Sequence, residues 1–442
     1  MLMRPRTIVW LLAYFFIAVL PLLLGLIDLD PGRGFWINLS VAMGFVALAM
    51  LGLQFLLAAR VRLVSDPVGM DVVLKYHREI TYVAVVLILG HPLILVLADS
   101  RFLPLLNVFT SPLRAKLAVA SVICLVVLVV LSVWRSRLRL GYARWQAIHA
   151  ILAVAVVITA LGHTLLVGYY VREPWESFLW LLLSLAFIAL GVWVRIVKPI
   201  LRRHRRWIIE EVRPEAGGST SIVLRLDNPT AYGPEGFTFR AGQFAWILAR
   251  RSPFAMTYHP FSISSSAEDH ERVTFTIKAF GDFTHEVAQL APGEVVYLDG
   301  PYGSFSVDEG HGGPLVLIGG GVGVTPLVSM LATLADRGDP RPCLIFLANR
   351  DLESRTCGEQ VDALRERLSL TVIDVLSAPP DDWSGERGFL TQELMTRSIT
   401  FDPTTAHYFV CGPPGLMDAV DVALGEMQVP PAQVHAERFG MV

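Results

Sequence analysis

The first 200 residues contain four histidines, His77, His91, His149 and His163, which form two pairs of equal spacing, fourteen residues apart. Each pair lies along an apolar run, KYHREITYVAVVLILGHPLILVLA for the first and WQAIHAILAVAVVITALGHTLLVGYY for the second. An imidazole buried in hydrocarbon is costly unless a ligand or a hydrogen bond satisfies it. On an α-helix fourteen steps end about 40° short of four full turns, so each pair shares one face with about 21 Å between its members. Two such helices running alongside each other would set His77 level with His149 and His91 level with His163. A metal in a flat macrocycle needs two axial ligands facing each other, and two imidazoles are a common low-spin set, so two stacked b-type haems fit the pattern. A lone histidine in such a run is more often a packed core residue, but that reading leaves the two equal spacings without a cause. A dinuclear non-haem site would want carboxylates at the same depth, where only Glu79 is near.

The elements that would position these residues follow from composition. The 442 residues are 53% hydrophobic and 17% charged, far from a soluble average, and the excess lies at one end. Uncharged runs occupy 7–27, 34–59, 80–98, 117–134, 145–171 and 177–194. Each is close to the ~20 residues a helix needs to cross a bilayer core. The first run has no small-residue cleavage site and reads as a retained helix rather than a secretory signal. Arg4, Arg6, Arg60, Arg62, Lys75, Arg78, Arg135, Arg137, Arg139 and Arg144 gather in the loops on one side, which the positive-inside rule assigns to the cytoplasm. Six spans then leave both termini and everything after Val194 on the cytoplasmic side of a bacterial inner membrane. The basic stretch RIVKPILRRHRRW joins the halves. Cys124, Cys343, Cys357 and Cys411 share no metal-type spacing, so neither a zinc site nor a disulfide framework is expected.

Beyond the linker, alternating segments such as TSIVLRLDN (220–228) and RVTFTIKAF (272–280), separated by Gly- and Pro-containing turns, predict an antiparallel β-barrel up to about residue 307. Thr284 is placed to cap a helix THEVAQLA, whose first N–H groups with the Gly281 turn would suit a pyrophosphate. PLVLIGGGVGVTPLVSMLATLADRG (314–338) then reads as strand, glycine loop and amphipathic helix, the context in which such a loop binds phosphate. Strands at 343–349, 371–377 and 407–411 alternate with helical segments, as a parallel α/β sheet requires. The expected fold is a membrane α-helical bundle of six transmembrane helices (1–200), an antiparallel β-barrel FAD domain (206–307) and an α/β nucleotide-binding domain (308–442).

These motifs together resemble the NADPH oxidase and ferric reductase family, a six-helix haem domain fused to a dehydrogenase similar to ferredoxin–NADP reductase, over nearly the whole chain. The resemblance implies that His259, Pro260, Phe261 and Ser262 line FAD, and that Lys278, Gly281, Asp282, Phe283 and Thr284 form a second flavin motif. It implies a nicotinamide-nucleotide site at Gly320, Gly321, Gly323, Thr325 and Pro326, completed by CGPPGLM (411–417) with Gly412 and Pro413. Phe439 and Cys411 would stand at the reacting atoms, Phe439 by stacking on the flavin. Family members often end on that aromatic residue, whereas here Gly440, Met441 and Val442 follow. No calcium-binding loop or regulatory extension is seen, so no regulatory subunit is implied.

Electrons would pass from NADPH through FAD to the haem on His77 and His149, then to the haem on His91 and His163, and leave on the far side. Strand 343–349 ends in Asn349 and Arg350 with Arg355 nearby, where an NAD-selective fold would carry an acidic residue, so NADPH is expected over NADH despite Asp351 and Glu353. The outward loops are too short for a substrate domain, so the acceptor should be small and diffusible. Oxygen, giving superoxide, is the expectation. A ferric chelate drawn to Arg101, Arg114, Lys116 and Arg172, a quinone, or a periplasmic protein would use the same wiring. A receptor with a nucleotide-sensing domain would leave the histidine spacing unexplained. Nucleic acid is not an expected partner; the lipid bilayer is.

Overall fold

The computed structural model describes residues 5–25, 34–59, 70–171, 173–249, 252–254, 258–309 and 312–438. The chain divides into two compact units, one ending at Pro199 and one running from Ile200 onward.

The first unit is helical: α1 (Pro5–Gly25), α2 (Phe35–Ala58), α3 (Met70–Ala98), α4 (Leu113–Val133), α5 (Tyr142–Val167) and α6 (Pro174–Val192). Five of these stretches, 35–58, 72–98, 113–133, 144–167 and 174–202, are long and apolar enough to cross a membrane, while the described apolar part of α1, Ile8–Leu23, is shorter. The third helix starts ten residues before its uncharged run, so Lys75, His77 and Arg78 belong to it. Its continuation is physically reasonable, because long charged side chains near a span end can reach water. The last helix begins on Pro174, whose missing N–H costs nothing in a first turn. Glu173 and Glu176 close its N-terminus as a reciprocal capping box. Helix α2 packs mainly on α3, and α4 on α5. Gly52 makes close packing possible, since a Cβ there would come within 2.0 Å of the Phe187 ring on α6.

The second unit contains two six-stranded sheets. The first, in the order β4 (His259–Ser262), β3 (Phe244–Ala249), β6 (Val295–Tyr302), β1 (Arg206–Glu215), β2 (Ser219–Leu226), β5 (Arg272–Lys278), is antiparallel throughout. A bridge between Ile263 and Phe275, with the Ser264 N–H donating to the Thr274 carbonyl at 2.8 Å, links its two edges. Its inward residues Trp207, Ile222, Leu224, Ile247 and Phe275 are essentially removed from water. The short helix α7 (Asp282–Val287) lies between β5 and β6. Its N-cap is Gly281, not Thr284 as expected. Thr284 sits inside the first turn, where its hydroxyl receives the Phe280 N–H at 2.6 Å and donates to the Gly281 carbonyl at 2.9 Å. Gly281 has φ 115°, open to glycine at no steric cost, which explains why the turn forms there.

The second sheet is parallel in the order β10 (Glu386–Arg387), β9 (Leu370–Leu376), β8 (Cys343–Asn349), β7 (Leu315–Gly320), β11 (His407–Cys411), β12 (Val434–Glu437). Helix α8 (Thr325–Asp336) follows β7, α9 (Gly358–Leu364) follows β8, α10 (Gln392–Ser398) precedes β11 and α11 (Pro414–Glu426) follows it. The central strand β7 is wholly buried, as a strand covered on both faces must be. Its alternating side chains feed two cores, Leu315 and Leu317 on one face, Val316 and Ile318 on the other.

Candidate functional site

The four histidines meet in pairs. The ring centres of His77 and His149 are 6.3 Å apart, and those of His91 and His163 are 6.5 Å apart. A transition metal holds an imidazole nitrogen at about 2.0–2.1 Å, so two imidazoles facing each other on one metal have nitrogens about 4 Å and ring centres about 6 Å apart. Both pairs therefore have the separation that a shared axial metal needs.

The remaining ring nitrogens settle which nitrogen is available. His91 Nδ1 lies 2.7 Å from the Ser40 carbonyl and so carries the hydrogen it donates there. His163 Nδ1 donates in the same way to the Arg114 carbonyl at 2.8 Å. Ser132 gives its own proton to the Leu128 carbonyl at 2.7 Å, which leaves its oxygen to accept from His149 Nδ1 at 3.2 Å and from the Trp145 indole at 3.3 Å. In all three rings Nε2 keeps its lone pair, the tautomer that ligation requires. The fourth ring differs: His77 Nδ1 is buried without a hydrogen bond. Gln54 itself is 7% exposed, and its side-chain nitrogen and oxygen are both buried without partners. Orphaned polar atoms at such depth are expensive, and a bound polar group would satisfy them.

Between the two levels the packing is apolar. Ala84 and Val156, each seven residues from both histidines of its helix, pack with Leu53 and Leu125 and are at most 2% exposed. Among the described residues no cluster of three or more His, Cys, Asp or Glu side chains could hold a metal by itself. The two pairs offer two protein ligands each, which suits a metal that arrives with further ligands of its own.

In the second unit the residues expected around FAD converge. The His259 ring stacks on Phe283 at 4.0 Å and 13°, and Phe261 faces the same ring at 6.0 Å and 18°. Pro260 lies between them on β4, opposite Trp246, and Ser262 is buried at the strand end. Lys278 closes β5 on the surface. No atom comes within 4 Å of a Cβ built on Gly281, so the turn before α7 presents bare backbone. Flat rings beside uncovered main chain suit an isoalloxazine, and these residues fit FAD.

The nucleotide motif is built at the carboxyl end of the parallel sheet. The turn Gly321–Val324 joins β7 to α8, with Gly321 at φ 53° and nothing within 4 Å of its absent Cβ. Thr325 donates to the Val322 carbonyl at 3.0 Å and Pro326 occupies the first turn of α8. Gly323 meets the loop after β11, since a Cβ there would lie 2.4 Å from the Cys411 carbonyl oxygen. Gly320 abuts Pro413 and Leu416, and Gly412 comes back against Gly320. The two glycine loops therefore lock together through bare backbone, which explains why both motifs need glycine. Cys411 itself is fully buried, and burial, aided by the Glu437 carboxylate, raises its thiol well above the ordinary range, so it stays neutral.

Two expectations need correction or restriction. Arg355 is not available to a 2′-phosphate. Its side chain is 13% exposed and binds Asp374 at 2.7 Å and Asp362 at 2.6 and 3.0 Å. Burial alone would lower its pKa, but the bonds to Asp362 and Asp374 outweigh burial and raise it. Arg350, at the end of β8, is 80% exposed and lies 3.9 Å from Asp351. Phe439 lies outside the described residues. The supporting groups Ser40, Ser132 and the Arg114 carbonyl are not among the residues expected from sequence. A polar side chain inside an apolar run could point to Ser132; the backbone carbonyls of Ser40 and Arg114 leave no trace in sequence.

The fold and these sites define a membrane-embedded helical domain fused to a flavin- and pyridine-nucleotide-binding reductase module. Residues 43–160 match the family described as ferric reductase like transmembrane component, 220–306 an FAD-binding domain and 317–421 an oxidoreductase NAD-binding domain. That succession matches a ferric reductase/NADPH oxidase-type fusion, an oxidoreductase that binds FAD and NAD(P). The reductase component of propane 2-monooxygenase from Rhodococcus jostii is 28% identical over 215 residues, 47% of this chain and 57% of that protein. The flavohemoprotein of Bacillus subtilis is 26% identical over 249 residues, 54% of this chain and 60% of that protein. The chain thus spans about three fifths of the length of the curated relatives it matches. Among solved structures an Amycolatopsis cytochrome P450 reductase is similar, with 25% identity, a TM-score of 0.47 and coverage of 54% of this chain and 71% of that one.

Proposed function

We propose that this protein carries electrons from NADPH across a bacterial inner membrane to oxygen, releasing superoxide, with the dehydrogenase unit in the cytoplasm and six helices spanning the bilayer. The observation that carries the reading is the pair of facing histidine rings at 6.3 and 6.5 Å on two levels of one helical unit. His77 with His149, and His91 with His163, would hold two b haems; FAD would be held by His259–Ser262 and Gly281–Thr284, and the nucleotide by the loops after β7 and β11. Bound there, the flavin supplies exchange between a two-electron donor and one-electron carriers, and the haems supply one-electron passage.

The chain's own residues shape this chemistry in three ways. The Nδ1–H donations to Ser40, Ser132 and Arg114 fix three of the rings and leave their Nε2 lone pairs free. The layer of Ala84, Val156 and Leu125 excludes water between the levels. A haem held by both His91 and His163 would offer one-electron transfer to a small acceptor rather than binding of oxygen at the metal, which favours reduction of oxygen to superoxide.

A small acceptor also suits the loops at the His91–His163 end, residues 99–112 and 168–173, which hold only one 3₁₀ segment, Ser100–Leu106, among the described residues. Arg101 is bound to Asp99 at 2.7 Å, which removes one charge from the rim that would attract an anionic ferric chelate. Arg172 lies outside the described residues. Purified protein given NADPH and FAD should consume oxygen and reduce external cytochrome c in a reaction that superoxide dismutase abolishes. Faster anaerobic reduction of a ferric chelate at matched NADPH would replace the oxidase reading with a metal reductase.

A further inference from the structure

The linker contains five consecutive basic residues, Arg202 to Arg206, more than a topology signal needs, and the structure uses them differently. Arg202 is paired with Asp299 and lies 5.4 Å over the Tyr258 ring. Arg205 donates to the Ala231 carbonyl at 3.1 Å and sits 5.2 Å over Tyr232. Both therefore serve the fold of the dehydrogenase unit. The side chains of Arg203 and His204 make no hydrogen bond or ion pair among the described residues and are exposed. Together with Arg206, Asp227 and Asn228 they line a cavity of about 400 Å³.

The walls of this cavity are set. Arg206 is held by Asp227 at 2.7 Å, and the Asp227 N–H donates to the Arg206 carbonyl at 3.1 Å. Asn228 closes its own turn by accepting from the Thr230 N–H at 3.2 Å and hydroxyl at 2.7 Å. One free guanidinium, one free imidazole and one half-neutralised arginine thus face a polar space of the size that takes a small ligand. Guanidinium groups match phosphate oxygens in charge and geometry. The first lining residue follows directly on the apolar helical stretch 174–202, so the cavity is one residue along the chain from a span end.

We propose that this cavity binds a phosphate-bearing anion through Arg203, His204 and Arg206, its natural source being the headgroup of an anionic phospholipid. Nothing in the electron-transfer reading requires the site, and the two can fail separately. A free phosphate offers the same chemistry, so the test has an arm for each source.

Full-length protein in detergent is given phosphatidylglycerol or phosphatidylcholine, with retained lipid counted by native mass spectrometry, and separately inorganic phosphate, with thermal unfolding as the readout. Wild type should retain phosphatidylglycerol over phosphatidylcholine. Arg203→Gln should weaken that retention about fivefold, the effect of one basic residue at an anionic surface. His204→Gln should weaken it less, and Asp227→Asn, which frees Arg206, should strengthen it. Arg365→Gln on the far side of the sequence controls for net charge and should change nothing. Unfolding of each variant without ligand checks that it is folded. Phosphate stabilisation lost in Arg203→Gln, with lipid retention unmoved, would assign the site to free phosphate. Equal retention and equal phosphate response in wild type and all variants, or the same loss in Arg365→Gln as in Arg203→Gln, would overturn the proposal.

Discussion

His91 in the helical unit and Arg355 in the dehydrogenase unit are both polar side chains withdrawn from water, and they are satisfied in opposite ways. His91 gives one ring nitrogen to the Ser40 carbonyl and keeps the other free, its ring centre 6.5 Å from that of His163. Arg355 has its charge matched by Asp374 and Asp362, which take three of its five N–H donors. A half-satisfied polar group is a binding site in waiting, and a fully satisfied one is architecture. The difference also separates Arg350 from Arg355, since Arg350 stays 80% exposed five residues earlier.

The largest effect should come from the half-satisfied side. With the dehydrogenase unit untouched, His77→Leu should reduce NADPH-driven oxygen consumption to background while NADPH-driven reduction of a soluble dye by the flavin continues. Loss of both activities would mean that the histidine supports the fold and not the transfer.

The interlocked glycine loops come next. A side chain at Gly323 would press on the Cys411 carbonyl, and backbone cannot give way as a flexible side chain can. Gly323→Val should cost about 3 kcal/mol of stability in the dehydrogenase unit and weaken nucleotide binding. Unchanged unfolding and an unchanged KM for NADPH would show that the loops pack more loosely than these contacts require.

The two arginines should then part company. Arg355→Gln should destabilise by about 2–3 kcal/mol, towards the low end for a broken buried pair because Asp362 is half exposed, and should leave the NADPH to NADH ratio of kcat/KM alone. Arg350→Ala should do the reverse, lowering that ratio about tenfold with little change in unfolding. A shifted ratio in Arg355→Gln would return that residue to the nucleotide site.

The smallest effect is one of pH. The bond from Arg355, working against burial, holds the Asp362 carboxyl below its ordinary range. A depressed carboxyl stabilises the fold above the ordinary aspartate pKa and loses that contribution as pH falls through the folded value. The stability gap between wild type and Arg355→Gln should therefore be full at neutral pH and narrow below about pH 4. A gap that widened on acidification would contradict the pairing.

Legibility in the sequence follows the same division. On α3 and α5 helical periodicity converts a spacing of fourteen into shared face and depth, so the histidine pairs can be read from the chain alone. The glycine loop between β7 and α8 can be read too, because strand and helix flank it in sequence. Arg355 cannot, since its partner Asp374 lies nineteen residues away on the neighbouring strand and only the sheet brings them together. Thr284 misleads for a local reason: it suits a cap, but the free φ of Gly281 lets the helix start earlier. The strand β12 and the carbonyl of Arg114 carry no side-chain signature, and neither is legible.

The central claim is that the two histidine pairs each hold one haem, and the haem content of purified protein tests it most directly. Pyridine haemochrome absorbance should give two b haems per chain in wild type, falling to one in His91→Leu and in His163→Leu. One haem per chain in wild type, or two retained in either variant, would contradict it.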